Sequence, residues 1–99
     1  MTTTKVVRYT TTPEAADENA RLVAAVYAEL AQSQPDGLRY ATLRLEDDVS
    51  FVHVAEVEGD HNPLNDSAAF AAFQAGLADR VVDGPAARDA TVVGSYRLL

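Results

Sequence analysis

The sequence predicts an α+β fold with four strands and two helices in the order β-α-β-β-α-β. Three observations predict this order. Residues 38–58 consist of two segments whose side chains alternate between two faces, joined by a short acidic turn, and this pattern is typical of a β-hairpin. A stripe of apolar side chains at helical spacing precedes the hairpin, and a second stripe follows it. A segment rich in β-branched residues lies near each end of the sequence. The length of 99 residues predicts a single domain over 1–99.

The first half of the chain contains a strand and a helix. Residues 4–10 are β-branched and aromatic, which favours a strand. Thr12 and Pro13 are typical of a helix N-terminus, and the apolar stripe then runs through residues 16–30. The Pro-Asp-Gly segment at 35–37 is expected to end this helix.

The hairpin strands are predicted at 38–46 and 50–58, with Leu43 opposite Val52 and Ala41 opposite Val54. We expect the two helices to cover the face that contains these aliphatic side chains, together with Val7. The opposite face is also partly apolar, so we expect a second copy of the chain to hide it. That second face carries Tyr40, Thr42, Arg44, Phe51, His53 and Ala55.

The second half begins with a loop at 59–65, after which Asn65 or Asp66 is expected to cap a helix. The apolar stripe of this helix runs from Phe70 to Val81, and Gly-Pro at 84–85 is expected to end it. A final strand is predicted at 91–99. Right-handed crossovers then place both helices on one face of an antiparallel four-stranded sheet, the ferredoxin-like split βαβ arrangement.

Composition excludes several classes of function. The net charge of −7 argues against nucleic acids and anionic membranes as partners, because both attract basic surfaces. The absence of cysteine excludes disulfides and thiolate chemistry and fits a reducing cytoplasm. The sequence contains no phosphate-binding glycine loop, no serine-hydrolase motif and no apolar run long enough to span a membrane.

Over nearly its whole length the chain resembles the dimeric α/β-barrel superfamily, specifically the antibiotic biosynthesis monooxygenase type. The resemblance rests on length, element order, the segment DGLRYATLRLEDDVSFVHVAEVEG at 36–59 and the segment SAAFAAFQAGLADRV at 67–81. It implies a homodimer whose two sheets face each other, with a pocket in each protomer. Members of the family oxidise aromatic polyketides without a cofactor, degrade haem, or have no established activity. We therefore expect a homodimer, an aromatic small-molecule ligand and no cofactor.

The sequence departs from both kinds of active member. Polyketide-oxidising members resemble one another in an Asn, a Trp and Tyr in the pocket, and this chain has no Trp. Asn62 and Asn65 lie in the loop where such an Asn could fall. Haem-degrading members resemble one another in an Asn on the first strand, a Trp, and a haem-ligating His on the side of the second helix. Here the first strand offers Arg8 and Tyr9, and the second helix contains no His, so haem degradation is disfavoured.

His53 is the candidate catalytic base. An imidazole has a pKa near operating pH and could remove a proton from a phenol or an activated carbon, which would leave an anion that can reduce oxygen. The alternative is a buried histidine that forms hydrogen bonds with Thr42 or Tyr40 across the strands.

Six further residues are candidates for ligand binding, and the arginines, tyrosines and phenylalanine among them each have a structural alternative. Arginines could hold a carboxylate or enolate, or pair with acidic residues at the surface. Tyrosines could donate to a carbonyl or simply pack, and Phe could stack on a ligand or fill the barrel. These residues are Arg8, Tyr40, Arg44, Phe51, Asn62 and Tyr96.

Asp60, His61 and Asp66 match no ligand motif, so we expect no metal site. Two functions remain open from the sequence: a cofactor-independent monooxygenase, and a non-catalytic binding or structural dimer.

Overall fold

The computed structural model describes residues 1–98 and contains one antiparallel sheet with the strand order β2-β3-β1-β4. The chain runs through β1 (Thr2–Thr11), α1 (Ala16–Ser33), β2 (Leu38–Arg44), β3 (Ser50–Glu58), α2 (Ala68–Ala75), α3 (Leu77–Arg80) and β4 (Val81–Ala90). Single 3-10 turns at Pro13–Ala15 and Pro63–Asp66 lead into α1 and α2. The predicted α+β, ferredoxin-like class is confirmed.

The β2–β3 hairpin has the predicted register. Leu43 is opposite Val52 and Ala41 is opposite Val54. Asp47 organises the turn, because its carboxylate accepts hydrogen bonds from the backbone N–H groups of Val49 and Ser50 and from the Ser50 hydroxyl. These bonds hold the pKa of Asp47 below its usual range.

The predicted facing of the hairpin is wrong. Phe51 and His53, expected on the face away from the helices, are 2% and 5% exposed and lie beneath them, whereas Leu43 is 53% exposed. Of the side chains expected under the helices, Val7 packs against the core cluster, while Val52 and Val54 alternate to the opposite face. Both faces of the hairpin are apolar enough to be buried, so alternation alone does not tell which face the helices cover.

The predicted final strand is also wrong. Residues 81–90 form β4 along the open edge of β1, from Val81 beside Thr11 to Ala90 beside Thr4. The predicted strand 91–99 is not a strand over its described part, 91–98, and Leu99 lies outside the described residues. Backbone N–H and C=O groups form the ladder, so an edge strand tolerates the Gly, Pro and charged residues of this segment.

The second helical segment is shorter than predicted and differently capped. Ser67, rather than Asn65 or Asp66, caps α2 through a hydrogen bond from the Phe70 N–H to its hydroxyl. Gly76 separates α2 from α3, and Val81, expected in the helical stripe, already belongs to β4. The Glu29 carboxylate of α1 accepts the Ser67 hydroxyl and two backbone N–H groups, and so fixes the start of α2 against α1.

The buried core lies between the helices and the sheet. Its cluster comprises Tyr9, Val26, Phe51, Leu64 and Phe73. Within residues 1–98, no helix combines the length and hydropathy that a membrane crossing requires.

Candidate functional site

A cavity of about 540 Å³ lies between the helix-facing side of the sheet and the segment from the β3–α2 loop to α3. Its walls are mostly apolar and aromatic. The polar groups of Tyr40 and the buried His53 lie together in the wall, and we call this part of the cavity the inner corner. The volume is in the range of small-molecule binding pockets. The lining residues are Thr3, Lys5, Val7, Tyr9, Tyr40, His53, Ala55, Val57, Gly59, Asp60, Asn62, Leu64, Asn65, Phe70, Phe73, Gln74, Leu77, Pro85 and Ala87.

A chain of hydrogen bonds runs through the core to the inner corner of this cavity. It begins at Arg80, the last residue of α3, whose Nε donates to Oδ1 of Asn19 in α1 at 3.0 Å. The Asn19 Nδ2 donates to the hydroxyl of Tyr9 in β1 at 2.9 Å. The Tyr9 hydroxyl in turn lies 2.8 Å from Nε2 of His53 in β3. Arg80, Asn19, Tyr9 and His53 are all buried.

The chain continues from the other nitrogen of His53 to β2. His53 Nδ1 lies 2.7 Å from the Tyr40 hydroxyl and 3.1 Å from the Thr42 hydroxyl. The Thr42 hydroxyl also pairs with Tyr27 of α1 at 2.8 Å, and the Tyr27 and Tyr40 rings stack at 5.2 Å. Within residues 1–98, every buried side-chain nitrogen and oxygen has a hydrogen-bond partner.

Arg80 contributes a buried positive charge that no carboxylate neutralises within residues 1–98. Its Nη2 donates to the Phe73 carbonyl at 2.7 Å, and the guanidinium lies 5.3 Å from the centre of the Phe73 ring. These contacts and Asn19 replace the water that a guanidinium loses on burial. The cation is therefore held close to the hydrogen-bond chain.

Burial keeps the imidazole and the phenols neutral. It lowers the pKa of His53 to about 4 and raises the pKa of Tyr9 to about 12. For Tyr9, the Asn19 hydrogen bond and the charge of Arg80 offset part of the rise. Burial likewise raises the pKa values of Tyr40 and Tyr27. At neutral pH the hydrogen-bond chain thus consists of neutral donors and acceptors, with the guanidinium of Arg80 at its start.

The structure brings three of the seven predicted site residues to the cavity: Tyr40, His53 and Asn62. The hydrogen bonds of His53 with Tyr40 and Thr42 are those that the structural alternative predicted. Asn62 uses its side-chain oxygen to cap the Pro63–Asp66 turn by accepting from the Leu64 N–H.

The other four predicted residues lie away from the cavity. Arg8 is exposed on the opposite sheet face, because it alternates with Val7 and Tyr9. The exposed Arg44 pairs with Asp17 at 3.1 Å and lies over Phe51, which is itself core beneath the helices.

Tyr96 lies 81% exposed in the segment that follows β4. It was expected in a final strand, and the formation of β4 at residues 81–90 leaves it outside the sheet.

Sequence reasoning missed two members of the hydrogen-bond chain, Asn19 and Arg80. Asn19 interrupts the apolar stripe of α1 between Ala16 and Val23, and a polar residue on a buried helix face is a signal for a buried polar partner. Arg80 has no comparable signal, because it was expected inside a longer helix. Of Asp60, His61 and Asp66, which match no metal-ligand motif, His61 and Asp66 form an exposed pair with Nε2 and Oδ2 at 2.6 Å.

No protein-family model matches the chain, and no curated protein matches it. Solved structures do match it, over nearly the full length of both chains.

Rv0793 from Mycobacterium tuberculosis is 15% identical with a TM-score of 0.75, covering 96% of this chain and 98% of its own. A variant of SnoaB, a cofactor-independent oxygenase from Streptomyces nogalater, is 24% identical with a TM-score of 0.65, covering 97% of both chains. A candidate antibiotic biosynthesis monooxygenase from Nitrosomonas europaea is 10% identical with a TM-score of 0.75, covering 93% and 90%. At the level of fold, the comparison confirms the predicted resemblance to antibiotic biosynthesis monooxygenase-like proteins.

Proposed function

We propose that the protein binds an aromatic small molecule in the cavity between sheet and helices and oxidises it with molecular oxygen, without a cofactor. The observation that carries the proposal is the pairing of a mostly apolar cavity of about 540 Å³ with one polar inner corner, formed by Tyr40 and His53. Such a cavity buries a flat hydrophobic ligand and fixes its orientation through a single oxygen atom. Support also comes from a fold shared with a cofactor-independent oxygenase.

The proposed reaction begins with an anion of the substrate. Loss of a proton from a phenol or an activated CH₂ group gives a phenolate or enolate that transfers electrons to oxygen. The O–O bond and a C–H bond of the substrate then break. One oxygen atom forms a new C=O bond in the product, and the other leaves as water with the two hydrogens that the substrate loses. The protein contributes by holding the aromatic ring and stabilising the anion, because a hydrogen-bond donor in an apolar site stabilises developing charge strongly.

The geometry offers two routes to this anion. In the first, His53 is the base and receives the substrate proton through Tyr40. This route requires an imidazole with a pKa of about 4 to act as a base, and requires Nδ1 of His53 to accept the hydrogen bond from Tyr40. In the second, Tyr40 donates a hydrogen bond to the substrate oxygen, which lowers the substrate pKa, and the proton leaves to water at the cavity mouth.

Oxygen uptake with a panel of naphthols tests the enzymatic proposal, with naphthalene as the ligand that lacks the ionisable oxygen. We expect uptake by the native protein and a loss of about 100-fold in Tyr40→Phe, as for removal of one donor to an oxyanion. If His53 is the base, His53→Ala abolishes uptake while circular dichroism shows an intact fold. If Tyr40 donates directly to the substrate oxygen, His53→Ala lowers uptake by no more than Tyr40→Phe does. If the panel binds without uptake, the enzymatic proposal is wrong; if it does not bind, the cavity is not an aromatic site.

A second function, binding without turnover, is favoured by one observation. Both nitrogens of His53 already have partners within the protein, so no side chain at the inner corner is an unoccupied base. A protein of this kind would bind the naphthols with measurable affinity and leave the dissolved oxygen unchanged.

We further propose that the protein is a cytoplasmic homodimer, joined through the sheet face away from the helices. That face carries Leu43, half exposed, and the side chains of Val52 and Val54, partly exposed. The segment after β4 adds Val93 and Leu98, which are 100% and 77% exposed. A second copy that packs on the sheet face would bury Leu43, Val52 and Val54. Light scattering is expected to give twice the 10.6 kDa chain mass, and a particle of the single-chain mass at micromolar concentration would contradict the dimer.

A further inference from the structure

We propose that Arg80 sets the direction of the buried hydrogen-bond chain and thereby makes the Tyr40 hydroxyl a hydrogen-bond donor to the cavity ligand. The ligand class that fits this corner is an aromatic molecule with an acceptor oxygen: a ketone, a phenolate or an enolate. The inference relies on the proposed function only for the presence of a ligand, because the direction of the chain is a property of the protein alone.

The direction begins at the guanidinium. An arginine side chain has N–H donors and no acceptor, so its partner in Asn19 must be the amide oxygen. The amide NH₂ group of Asn19 then faces Tyr9 and donates to its hydroxyl. The orientation of the amide, which is otherwise ambiguous, is fixed by the cation beside it.

The next two links follow from counting protons. Tyr9 has one hydroxyl proton, and its oxygen already accepts from Asn19. The proton therefore goes to the other polar neighbour of this hydroxyl within residues 1–98, Nε2 of His53. An Nε2 that accepts carries no proton. A neutral imidazole has one N–H, which must therefore lie on Nδ1.

The last link ends at the cavity. The Nδ1–H of His53 faces the Tyr40 oxygen at 2.7 Å and the Thr42 oxygen at 3.1 Å. The Tyr40 oxygen therefore accepts, and its own proton is available to another acceptor. The hydrogen-bond partner of the Tyr40 hydroxyl is His53, whereas the Thr42 hydroxyl pairs with His53 and Tyr27. The Tyr40 proton is therefore available to a ligand oxygen in the cavity, which Tyr40 lines.

Two consequences follow for the site. In this hydrogen-bond chain, each group that donates a hydrogen bond also accepts one from the group before it. Such bonds polarise one another, so the Tyr40 hydroxyl becomes a stronger donor. His53 is then a positioning residue that acts through Tyr40, which selects the second of the two routes to the anion. Arg80 and Asn19 act in the same indirect way, from the far side of the core.

Heteronuclear nitrogen NMR of the ligand-free protein at mildly alkaline pH reads the tautomer of His53 directly. We expect the proton on Nδ1 in the native protein. Asn19→Asp keeps the size of the side chain but replaces the NH₂ donor with a second acceptor. Tyr9 must then donate to the carboxylate, Nε2 of His53 must donate to Tyr9, and the proton is expected to move to Nε2.

The tautomer measurement has two outcomes that overturn the inference. A proton on Nε2 in the native protein contradicts the direction of the chain. A folded Asn19→Asp variant that keeps its proton on Nδ1 contradicts the role of Arg80 and Asn19 in setting it. A purely structural role for these residues would lower stability without moving the proton.

Ligand binding gives a second, independent measurement with the matched probes α-tetralone and tetralin, which differ by one ketone oxygen. We expect the native protein to prefer the ketone by about three- to tenfold, the ratio that one net hydrogen bond contributes. Tyr40→Phe and Asn19→Asp are both expected to lose this preference while tetralin binding stays unchanged. A preference that survives in either variant overturns the donor role of Tyr40. If neither probe binds, the proposed ligand class and the proposed function fail together, while the tautomer still decides the direction of the chain.

Discussion

The burial of a neutral His53 predicts that the protein loses stability in mild acid. The pKa of His53 is lowered from 6.5 to about 4, because burial disfavours the imidazolium. Between these values the unfolded chain binds a proton that the native state refuses, so the free energy of unfolding falls as the pH falls. The contribution is complete above the unfolded pKa. Linkage gives a loss of about 2 kcal/mol between about pH 7 and about pH 5, and about 3 kcal/mol in total below pH 4.

The groups around His53 do not obscure this window. Burial raises the pKa values of Tyr9 and Tyr40, so these phenols stay neutral throughout the window. The carboxyl groups of Glu29 and Asp47 have pKa values below their ordinary 4.5 and 3.8, so their contribution is lost mainly below about pH 5. A measurement above that pH therefore reports mainly on histidine.

Urea unfolding followed by circular dichroism, at one protein concentration and a series of pH values, measures the effect. His53→Gln keeps a donor and an acceptor at the site but cannot titrate, so its stability is expected to be nearly flat between pH 7 and pH 5. The matched control is His61→Gln, which replaces the other histidine of the chain, and the slope that survives in it belongs to His53. Equal stability of the native protein at the two pH values would refute the burial of an uncharged His53.

Three further predictions concern the fold. Phe51→Ala is expected to lower the free energy of unfolding by about 3 to 5 kcal/mol, because the ring is part of the core. Leu43→Asp is expected to leave the fold intact and to weaken association, which light scattering measures. Gly84→Ala is expected to cost about 1 to 3 kcal/mol in urea unfolding, since Gly84 has φ +89 and a Cβ there would lie 2.8 Å from a backbone carbonyl of β1; unchanged stability would refute this. Glu29→Gln is expected to lower the melting temperature at neutral pH and to lose that difference as the pH falls below 4.5, because the pKa of Glu29 is lowered by its bonds to the start of α2.

The register of the hairpin could be predicted from sequence, whereas its facing could not. Turn length and the Asp47 bonds fix which residues pair across β2 and β3, and this information is local. Facing depends on what the helices offer. The face with the aliphatic Val52 and Val54 resembles a core face more than the face with Thr42 and His53 does. The helices nevertheless cover the second face, because α1 supplies polar partners for it.

The last strand could not be predicted from residue preference. Residues 91–98 have the composition of a strand and lie outside the sheet, whereas 81–90 contain Gly, Pro and three charged residues and form β4. The open edge of β1 requires backbone partners, and the segment that leaves α3 beside Thr11 supplies them. Geometry at the end of α3 therefore outweighs intrinsic preference at an edge strand.

The candidate site was only partly accessible to sequence reasoning, for a related physical reason. A buried hydrogen-bond chain joins residues from five elements, and no spacing along the sequence encodes such a set. Replacing a buried cation and its partners with apolar side chains of similar volume is often neutral or stabilising, so the chain is not explained by stability alone. It ends at Tyr40, on the wall of a cavity that apolar packing would have filled. A fold that keeps both the cavity and a polar chain directed into it retains them at some cost in stability, and this combination is expected where a ligand is bound.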